Sequence, residues 1–249
     1  MTADPIDSTD PIDTIDTAEH DRRLQPWLHD LVVALAAPTQ VWCGPDGQVR
    51  AQGAQGVYHG DVRVLSRAEL TLDGVEPVPV LVSPDGASRT VAVSVARQLG
   101  DAGPDPTVRV ERRRAVAPGR VDETIVLTSS ARTALTTRVR IGVAADLAPI
   151  DRVKSGDPVA PLSPSLTGGT LAWSALALAV EVTAPGAAVS TDGDSANLAW
   201  EVELGPGGRV ELAWAVHARD EAAVVVGPTS GDCWDVDVRV DDRRRRRSF

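Results

Sequence analysis

Apolar and polar residues alternate along most of this chain, and the clearest alternation lies in residues 56–72, which read GVYHGDVRVLSRAELTL. The segment begins at a glycine, passes a polar group at 59–61 and continues into a regular pattern. Two sets of side chains point to opposite faces there: Ala68, Leu70 and Leu72 against Glu69, Thr71 and Asp73. A period of two predicts one half-buried β-strand with a polar start.

Two charged residues stand at the start of this predicted strand. Asp61 and Arg63 are two positions apart, so on an extended chain their side chains share a face. This spacing predicts a buried or half-buried ion pair that anchors the strand.

Similar short strands continue through the rest of the chain, separated by turn residues. The turns contain glycine, proline and aspartate, and they include Pro45-Asp46-Gly47, Asp73-Gly74, Pro84-Asp85-Gly86, Pro118-Gly119 and the segment 205–208. Asp73-Gly74 is a strong hairpin signal. Strands at a spacing of roughly 8–12 residues are typical of antiparallel sandwiches, so we expect an all-β fold built as a large two-sheet antiparallel β-sandwich.

The N-terminal region does not share this pattern. Residues 1–21 are acidic and of low complexity, which predicts a disordered tail because little apolar surface is available for burial. Residues 22–37 allow two interpretations. Their apolar positions follow helical spacing, yet the run at 31–35 also suits a short buried strand, and Pro38 ends the element in either case.

Composition narrows the possible partners. The chain has 249 residues and a formal net charge of −10, which argues against nucleic acid or an anionic membrane as the main partner. It contains no apolar run long enough to span a bilayer. The two cysteines, Cys43 and Cys233, are far apart, so we expect a cytoplasmic protein with reduced thiols. A disulfide joining them is the alternative.

Candidate chemistry is sparse. No histidine or cysteine cluster has metal-ligand spacing, and no cofactor motif is present, so we expect neither a metal nor a cofactor. Glycoside hydrolysis needs two carboxylates across the scissile bond. The candidates are Asp61, Glu123, Asp146 and Asp151.

None of these carboxylates forms a clean acid/base pair. Asp146 and Asp151 could lie close together, but Arg152 and Lys154 follow within a few residues. Structural ion pairs with these two basic residues are the preferred interpretation, and no residue is assigned a catalytic role.

Tryptophan offers the other candidate for sugar contact, because aromatic rings stack on the apolar faces of sugars. Trp173, Trp200 and Trp214 lie inside alternating strands and are expected in the core. Trp42 and Trp234 remain open as possible sugar contacts.

Three segments, in order along the chain, resemble the N-terminal domain of bacterial and archaeal glycogen debranching enzymes of the amylo-α-1,6-glucosidase type. The first matches a glycine-aromatic, Asp-x-Arg, Leu-Ser signature at Gly56, Tyr58, Asp61, Arg63, Leu65 and Ser66. It departs from the family at Tyr58, where phenylalanine is usual, and at 62–64, where Val-Arg-Val replaces Thr-Arg-Phe.

The other two segments follow at 111–130 and 145–156. The segment ERRRAVAPGRVDETIVLTSS is similar to the family's Arg-rich strand and return strand, with Glu123 at the acidic position. The segment ADLAPIDRVKSG carries Asp146, Asp151 and Lys154, with leucine and lysine in place of the family's phenylalanine and arginine. The resemblance covers about residues 38–240.

The resemblance implies a supersandwich-like domain at 22–240, followed by a basic linker or tail at 241–249. It also implies a strand rather than a helix before Pro38, after one helical turn. In this family the catalytic acids belong to a helical, six-hairpin type glycosidase domain, which we expect to be absent from this chain. The implied function is a non-catalytic domain that packs on that partner, in cis or in trans, and shapes its cleft for α-glucan. The alternative is a free-standing carbohydrate-binding or adaptor module.

Overall fold

The computed structural model describes residues 28–175 and 177–220, which fold almost entirely into antiparallel strands. Five sequence predictions concern residues outside these ranges: the acidic tail 1–21, the disulfide through Cys233, the sugar contact by Trp234, the domain limit at 240 and the basic tail 241–249. The all-β prediction is confirmed. No helix among the described residues is long and apolar enough to cross a bilayer.

The strands in the first half of the chain are β1 Val32–Ala36, β2 Thr39–Cys43, β3 Gly56–His59, β4 Val62–Leu65, β5 Arg67–Leu72, β6 Val78–Pro84, β7 Arg89–Val95 and β8 Val108–Ala117. Those in the second half are β9 Arg120–Ser129, β10 Leu135–Ala144, β11 Ala148–Pro149, β12 Ser165–Thr167, β13 Thr170–Ala175, β14 Leu178–Thr183, β15 Ala188–Asp192, β16 Ser195–Leu204 and β17 Arg209–Asp220. A 3-10 turn at Leu28–Asp30 precedes β1, and a short helix α1, Ile150–Lys154, follows β11.

The strands form three antiparallel sheets. The five-stranded sheet has the order β1-β2-β3-β4-β11, and the four-stranded sheet has the order β15-β16-β10-β5. The eight-stranded sheet has the order β12-β13-β14-β17-β9-β8-β7-β6. Buried side chains from all three sheets belong to one hydrophobic core, as Val57, Leu70 and Ile125 show.

Three tryptophans contribute to this core, as predicted. Trp173, Trp200 and Trp214 are at most 5% exposed. Each indole N–H has an acceptor: the carbonyl of Leu162 at 2.9 Å, the carbonyl of Pro185 at 3.0 Å and the carboxylate of Glu123 at 3.3 Å. None of these three buried indoles therefore has an unpaired N–H donor.

The segment 56–72 forms three strands rather than the single strand predicted. Gly60 has a φ of 58° and turns the chain between β3 and β4, which pair as a hairpin with His59 opposite Val62. The backbone N–H of Ser66 then donates to the carbonyl of Ala144, and β5 continues in a different sheet. The polar group at 59–61 is thus a turn inside the segment, while the strict alternation belongs to β5 alone.

The turn at Asp73-Gly74 exists, but it does not join a hairpin. Both residues have positive φ, 50° and 80°, and Leu72 bridges to Val75 across them. Beyond this bridge the strands separate, since β5 pairs with β10 and β6 pairs with β7 in the eight-stranded sheet. The turn expected at Asp73-Gly74 is therefore confirmed, and the expected hairpin is wrong because the strands on either side lie in different sheets.

The ambiguous segment before Pro38 resolves in favour of the strand. The 3-10 turn contributes three residues, and β1 then pairs with β2 from Val32 opposite Cys43 to Ala36 opposite Thr39. The helical spacing of the apolar residues is not realised as a longer helix within residues 28–37.

We predict that Leu70→Ala lowers the free energy of unfolding by about 2–5 kcal/mol, because it removes a fully buried side chain and leaves a cavity. Leu81→Ala is the matched control, since Leu81 is 53% exposed on β6 and should change stability by less than about 0.5 kcal/mol. Urea unfolding of both variants tests this. Equal losses would contradict the position of the core described above.

Candidate functional site

Arg63 on β4 and Asp146, just before β11, form a buried ion pair. The Nε of Arg63 donates to Asp146 Oδ1 at 3.3 Å and Oδ2 at 3.1 Å, and Nη2 donates to Oδ2 at 2.5 Å. Both side chains are almost completely buried. The pair joins the first sequence segment of the resemblance to the third, across 83 positions of chain.

The spacing of the charged residues predicts Asp61 as the partner of Arg63, and that prediction is wrong. Asp61 lies in the turn between β3 and β4 and is exposed, so the shared face of an extended strand does not apply to it. Its backbone carbonyl instead accepts from the N–H of Ile150 at 2.7 Å. Asp61 therefore anchors the start of α1 through its backbone.

Two further residues of the first segment shape the surroundings of Arg63. A Cβ on Gly56 would lie 2.6 Å from Cδ of Arg63, so only glycine leaves room for that side chain. Tyr58 is fully buried, and its hydroxyl donates to the carbonyl of Ala54 at 2.8 Å. Burial raises the pKa of Tyr58 to about 12, so the phenol stays protonated.

The remaining residues of that segment are also structural. Leu65 is fully buried in the core, and the Oγ of Ser66 donates to the carbonyl of Ala144 at 3.3 Å. The same carbonyl accepts from the backbone N–H of Ser66 at 2.9 Å. Ser66 thus fixes the point at which the chain passes from the five-stranded to the four-stranded sheet.

Glu123 on β9 lies in a second buried ionic cluster with Arg112 and Arg114 of β8. The Nε atoms of the two arginines donate to the two carboxylate oxygens, each at 2.8 Å. Burial alone would raise the pKa of Glu123, but the charges and hydrogen bonds of both arginines outweigh it and lower the pKa to about 2. Glu123 is therefore ionised at neutral pH and has no proton to donate.

Sequence reasoning missed the two arginines of this cluster. A usable signal was present, because Arg112 and Arg114 share the parity of Val108, Val110 and Val116, which all face the core. In an alternating strand that parity predicts an inward side chain. Two inward arginines require an acidic partner on a neighbouring strand.

The third segment does not form the ion pairs expected for it. Asp146 is paired, but with Arg63 rather than with Arg152 or Lys154. Asp151 and Lys154 are exposed on α1, and among the described residues neither forms an ion pair within 4.0 Å. Arg152 instead approaches Asp157, with 3.9 Å between Nε and Oδ2.

Neither buried carboxylate is free for acid/base chemistry. Glu123 is bound by two arginines and an indole N–H, and Asp146 by one arginine and the N–H of Ala148 at 3.3 Å. Within residues 28–175 and 177–220, no group of three histidine, cysteine, aspartate or glutamate side chains could hold a metal ion.

The described tryptophan left open as a sugar contact is Trp42. It is half-buried, its indole N–H donates to Gln40 Oε1 at 3.0 Å, and its ring lies 5.0 Å from that of Tyr58 at an angle of 42°. These contacts hold the ring against the protein.

Sequence comparison confirms the family resemblance. Residues 35–215 match the profile described as the N-terminal domain of (some) glycogen debranching enzymes, which covers most of the chain. A search of the curated proteins gave no match.

Structure comparison gives similar folds in solved structures. A putative aldose 1-epimerase from Escherichia coli K12 has 10% identity and a TM-score of 0.51, covering 76% of this chain and 98% of the other. A galactose mutarotase-like protein from Lactobacillus casei ATCC 334 has 8% identity and a TM-score of 0.50, covering 76% and 100%. At these identities the likeness shows the fold alone.

A putative kojibiose phosphorylase from the human microbiome matches more weakly, with 6% identity and a TM-score of 0.46. The match covers 78% of this chain but only 26% of the phosphorylase.

We predict that Asp146→Ala lowers the free energy of unfolding by about 3–5 kcal/mol, because it leaves the buried guanidinium of Arg63 unpaired. Asp61→Ala is the control of the same residue type, and its exposed position predicts a change below about 0.5 kcal/mol. Chemical denaturation measures both. A larger effect for Asp61 than for Asp146 would contradict the observed pairing.

We also predict an acid-dependent loss of stability from Glu123. Its folded-state pKa of about 2 lies below the ordinary value of 4.5, so its contribution is complete above pH 4.5 and is lost as the pH falls towards 2. Glu123→Gln should lower stability at pH 7 and flatten the pH dependence across that window. Asp122→Asn, at a half-buried position on the same strand, should retain most of the wild-type slope.

Proposed function

This chain belongs to the family of N-terminal domains of glycogen debranching enzymes, and we propose that it acts as a non-catalytic β-sandwich domain of a glycosidase. In this proposal the sandwich packs on a helical glycosidase domain, in the same chain or another, and shapes the cleft that receives an α-glucan. The observation that carries the non-catalytic part is the state of the two buried carboxylates, Glu123 and Asp146, which are both neutralised by arginine.

The motif residues support a structural role. The first and third segments meet at the Arg63–Asp146 pair, and the second segment supplies the Glu123 cluster inside the sandwich. A glycosidase needs one carboxyl group that can hold a proton near neutral pH and a second across the scissile bond. Glu123, with a pKa of about 2, cannot be the acid.

An exposed apolar strip supports the docking part of the proposal. It consists of side chains on and just before the edge strand β6, which are 44–64% exposed: Val75, Val78, Val80 and Leu81. Neighbouring apolar side chains that face solvent are typical of a surface covered by another protein. Pro79 and Pro84 lie in the same strand, and prolines limit edge-to-edge pairing of β-strands. A partner is therefore expected to cover the side chains of this strip rather than to extend the sheet.

We predict that the purified chain releases no glucose from a glucan with α-1,6 branches. A helical glycosidase domain added in trans should raise its melting temperature, because a partner that binds only the folded state stabilises it. Leu81→Asp should remove most of that rise by placing a charge in the strip. Leu166→Asp is the matched control, since Leu166 is 41% exposed on β12 at the opposite edge of the same sheet.

Each part of this proposal can fail separately. Turnover of the glucan by the chain alone, lost on substitution of Asp146 or Asp151, would refute the non-catalytic role. An unchanged melting temperature at a saturating concentration of the helical domain would refute docking. Equal effects of the two leucine variants would place the contact outside the strip.

A further inference from the structure

The four-stranded sheet has one face in the core and one face away from it. Its inward side chains include Leu70, Ile141 and Leu198, all fully buried. Its other face, here called the outer polar face, carries side chains that alternate with these: Arg67, Glu69 and Thr71 on β5, Arg138 and Arg140 on β10, and Asn197, Glu201 and Glu203 on β16.

A glycine opens a gap at the centre of this face. Gly142 pairs with Asn197 on one side and with Glu69 on the other, and Asn197 pairs in turn with Ser190 of β15. The position of a Cβ on Gly142 would lie 3.8 Å from Asn197 Oδ1, 3.9 Å from Arg67 Nη2 and 4.0 Å from Arg67 Nε. A guanidinium and an amide therefore border an unfilled space of about methyl size.

The backbone does not require a glycine at this position. Gly142 lies within a regular pairing of β10 and is not among the residues with positive φ. The distances around its missing Cβ are ordinary van der Waals contacts. An alanine would therefore fit the strand, and its methyl group would occupy the space between Arg67 and Asn197.

Two polar groups on this face, one of them beside the gap, have unmet hydrogen-bonding capacity. The Nε of Arg67 and the Oγ1 of Thr71 are buried without a hydrogen-bond partner. Among the described residues, no carboxylate lies within 4.0 Å of the Arg67 guanidinium. Thr71 is itself only 9% exposed. Buried polar atoms are normally paired, so these two atoms, like Nη2 of Arg112 in the Glu123 cluster, need a partner from water or a ligand.

Two arginines on this face, Arg67 and Arg140, lack an ion-pair partner among the described residues, while Glu69 lies directly opposite Gly142. Arg140 lies opposite Thr71 and has no ion pair within the described part of the chain, whereas Arg138 is 3.5 Å from Glu201. The nearest acidic residue along β5 is Glu69, and its charge acts on Arg50, which also binds Asp46 and Glu76. Arg67 and Arg140 are thus left without acidic partners on either side of the Gly142 gap.

From this geometry we propose that the outer polar face binds an oxyanion, a phosphate or carboxylate group carried by a small hydroxylated ligand. Arginine presents a planar fork of donors that matches both kinds of oxyanion. Arg67 is the primary contact and Arg140 supplies the second positive charge. The neutral groups of Thr71, Asn197 and Ser190 are placed to bind hydroxyl groups of the same ligand.

The test is calorimetric titration of the folded chain at low ionic strength with four probes: inorganic phosphate, glucose 1-phosphate, glucuronate and neutral glucose. We expect at least one anionic probe to bind and glucose to give no measurable heat. Raising the salt concentration should weaken the binding, because exposed charges are screened. The comparison of phosphate with glucuronate then identifies which oxyanion the face prefers.

Three variants locate the site. Arg67→Gln and Gly142→Val should each weaken binding at least tenfold, the first by removing the donor fork and the second by filling the gap. Arg138→Gln is the matched control on the same strand and face, and it should bind within twofold of wild type because Arg138 is already paired with Glu201. Melting temperatures of all three confirm that each variant is folded.

Several results would overturn the proposal. These are the absence of heat with all three anionic probes, binding of neutral glucose as tight as that of glucose 1-phosphate, and loss of binding in Arg138→Gln but not in Gly142→Val. No helical domain is present in this assay, so its outcome is independent of the docking experiment above.

Discussion

The pairing of buried charge is the constraint on which the rest of this structure depends. Arg63 and Asp146 are separated by 83 positions and are both withdrawn from water, so each would be strongly destabilising without the other. Satisfying them requires a glycine at position 56, where any Cβ would meet the arginine. The same ion pair holds β11 beside β4. It therefore helps to attach residues 148–149 to the five-stranded sheet, which is otherwise built from residues 32–65.

The Glu123 cluster is a second set of buried charges that must be paired, and it links the four-stranded sheet to the eight-stranded sheet. Gln48 precedes β3, and its amide both donates to and accepts from the backbone of Leu70 on β5. Its Oε1 also accepts from Arg112 on β8 at 2.5 Å. One side chain therefore connects the four-stranded and eight-stranded sheets through the cluster. Such a network is stabilising only when nearly all its members are satisfied, which makes the inner polar groups intolerant of change.

Sequence reasoning succeeded where the controlling interactions are local. Alternation identified the strands and the core positions of Trp173, Trp200 and Trp214, and a turn does form at Asp73-Gly74. It failed where a partner is distant along the chain, as in the assignment of Asp61 to Arg63. Residues two positions apart share a face only on an extended strand. Gly60, with its positive φ, turns the chain just before Asp61, so Asp61 lies outside the strand that contains Arg63. The arginines that bind Glu123 were predictable from parity, but their cross-strand register was not.

The contrast between the interior of the sandwich and the outer polar face of the four-stranded sheet bears on what the domain is for. Towards the interior, the ionic groups of Arg63, Arg114 and Glu123 are each bound by an opposite charge at close range. On the outer polar face, Arg67 keeps a buried donor without an acceptor beside a glycine that the backbone does not need. The interior also holds one buried arginine donor without an acceptor, Nη2 of Arg112, so an unpaired donor does not by itself identify a binding site. What distinguishes Arg67 is its position beside Gly142 on the outer polar face, and on this ground we infer a role in recognition for it. The two buried acidic motif residues, Glu123 and Asp146, are bound by arginines inside the fold.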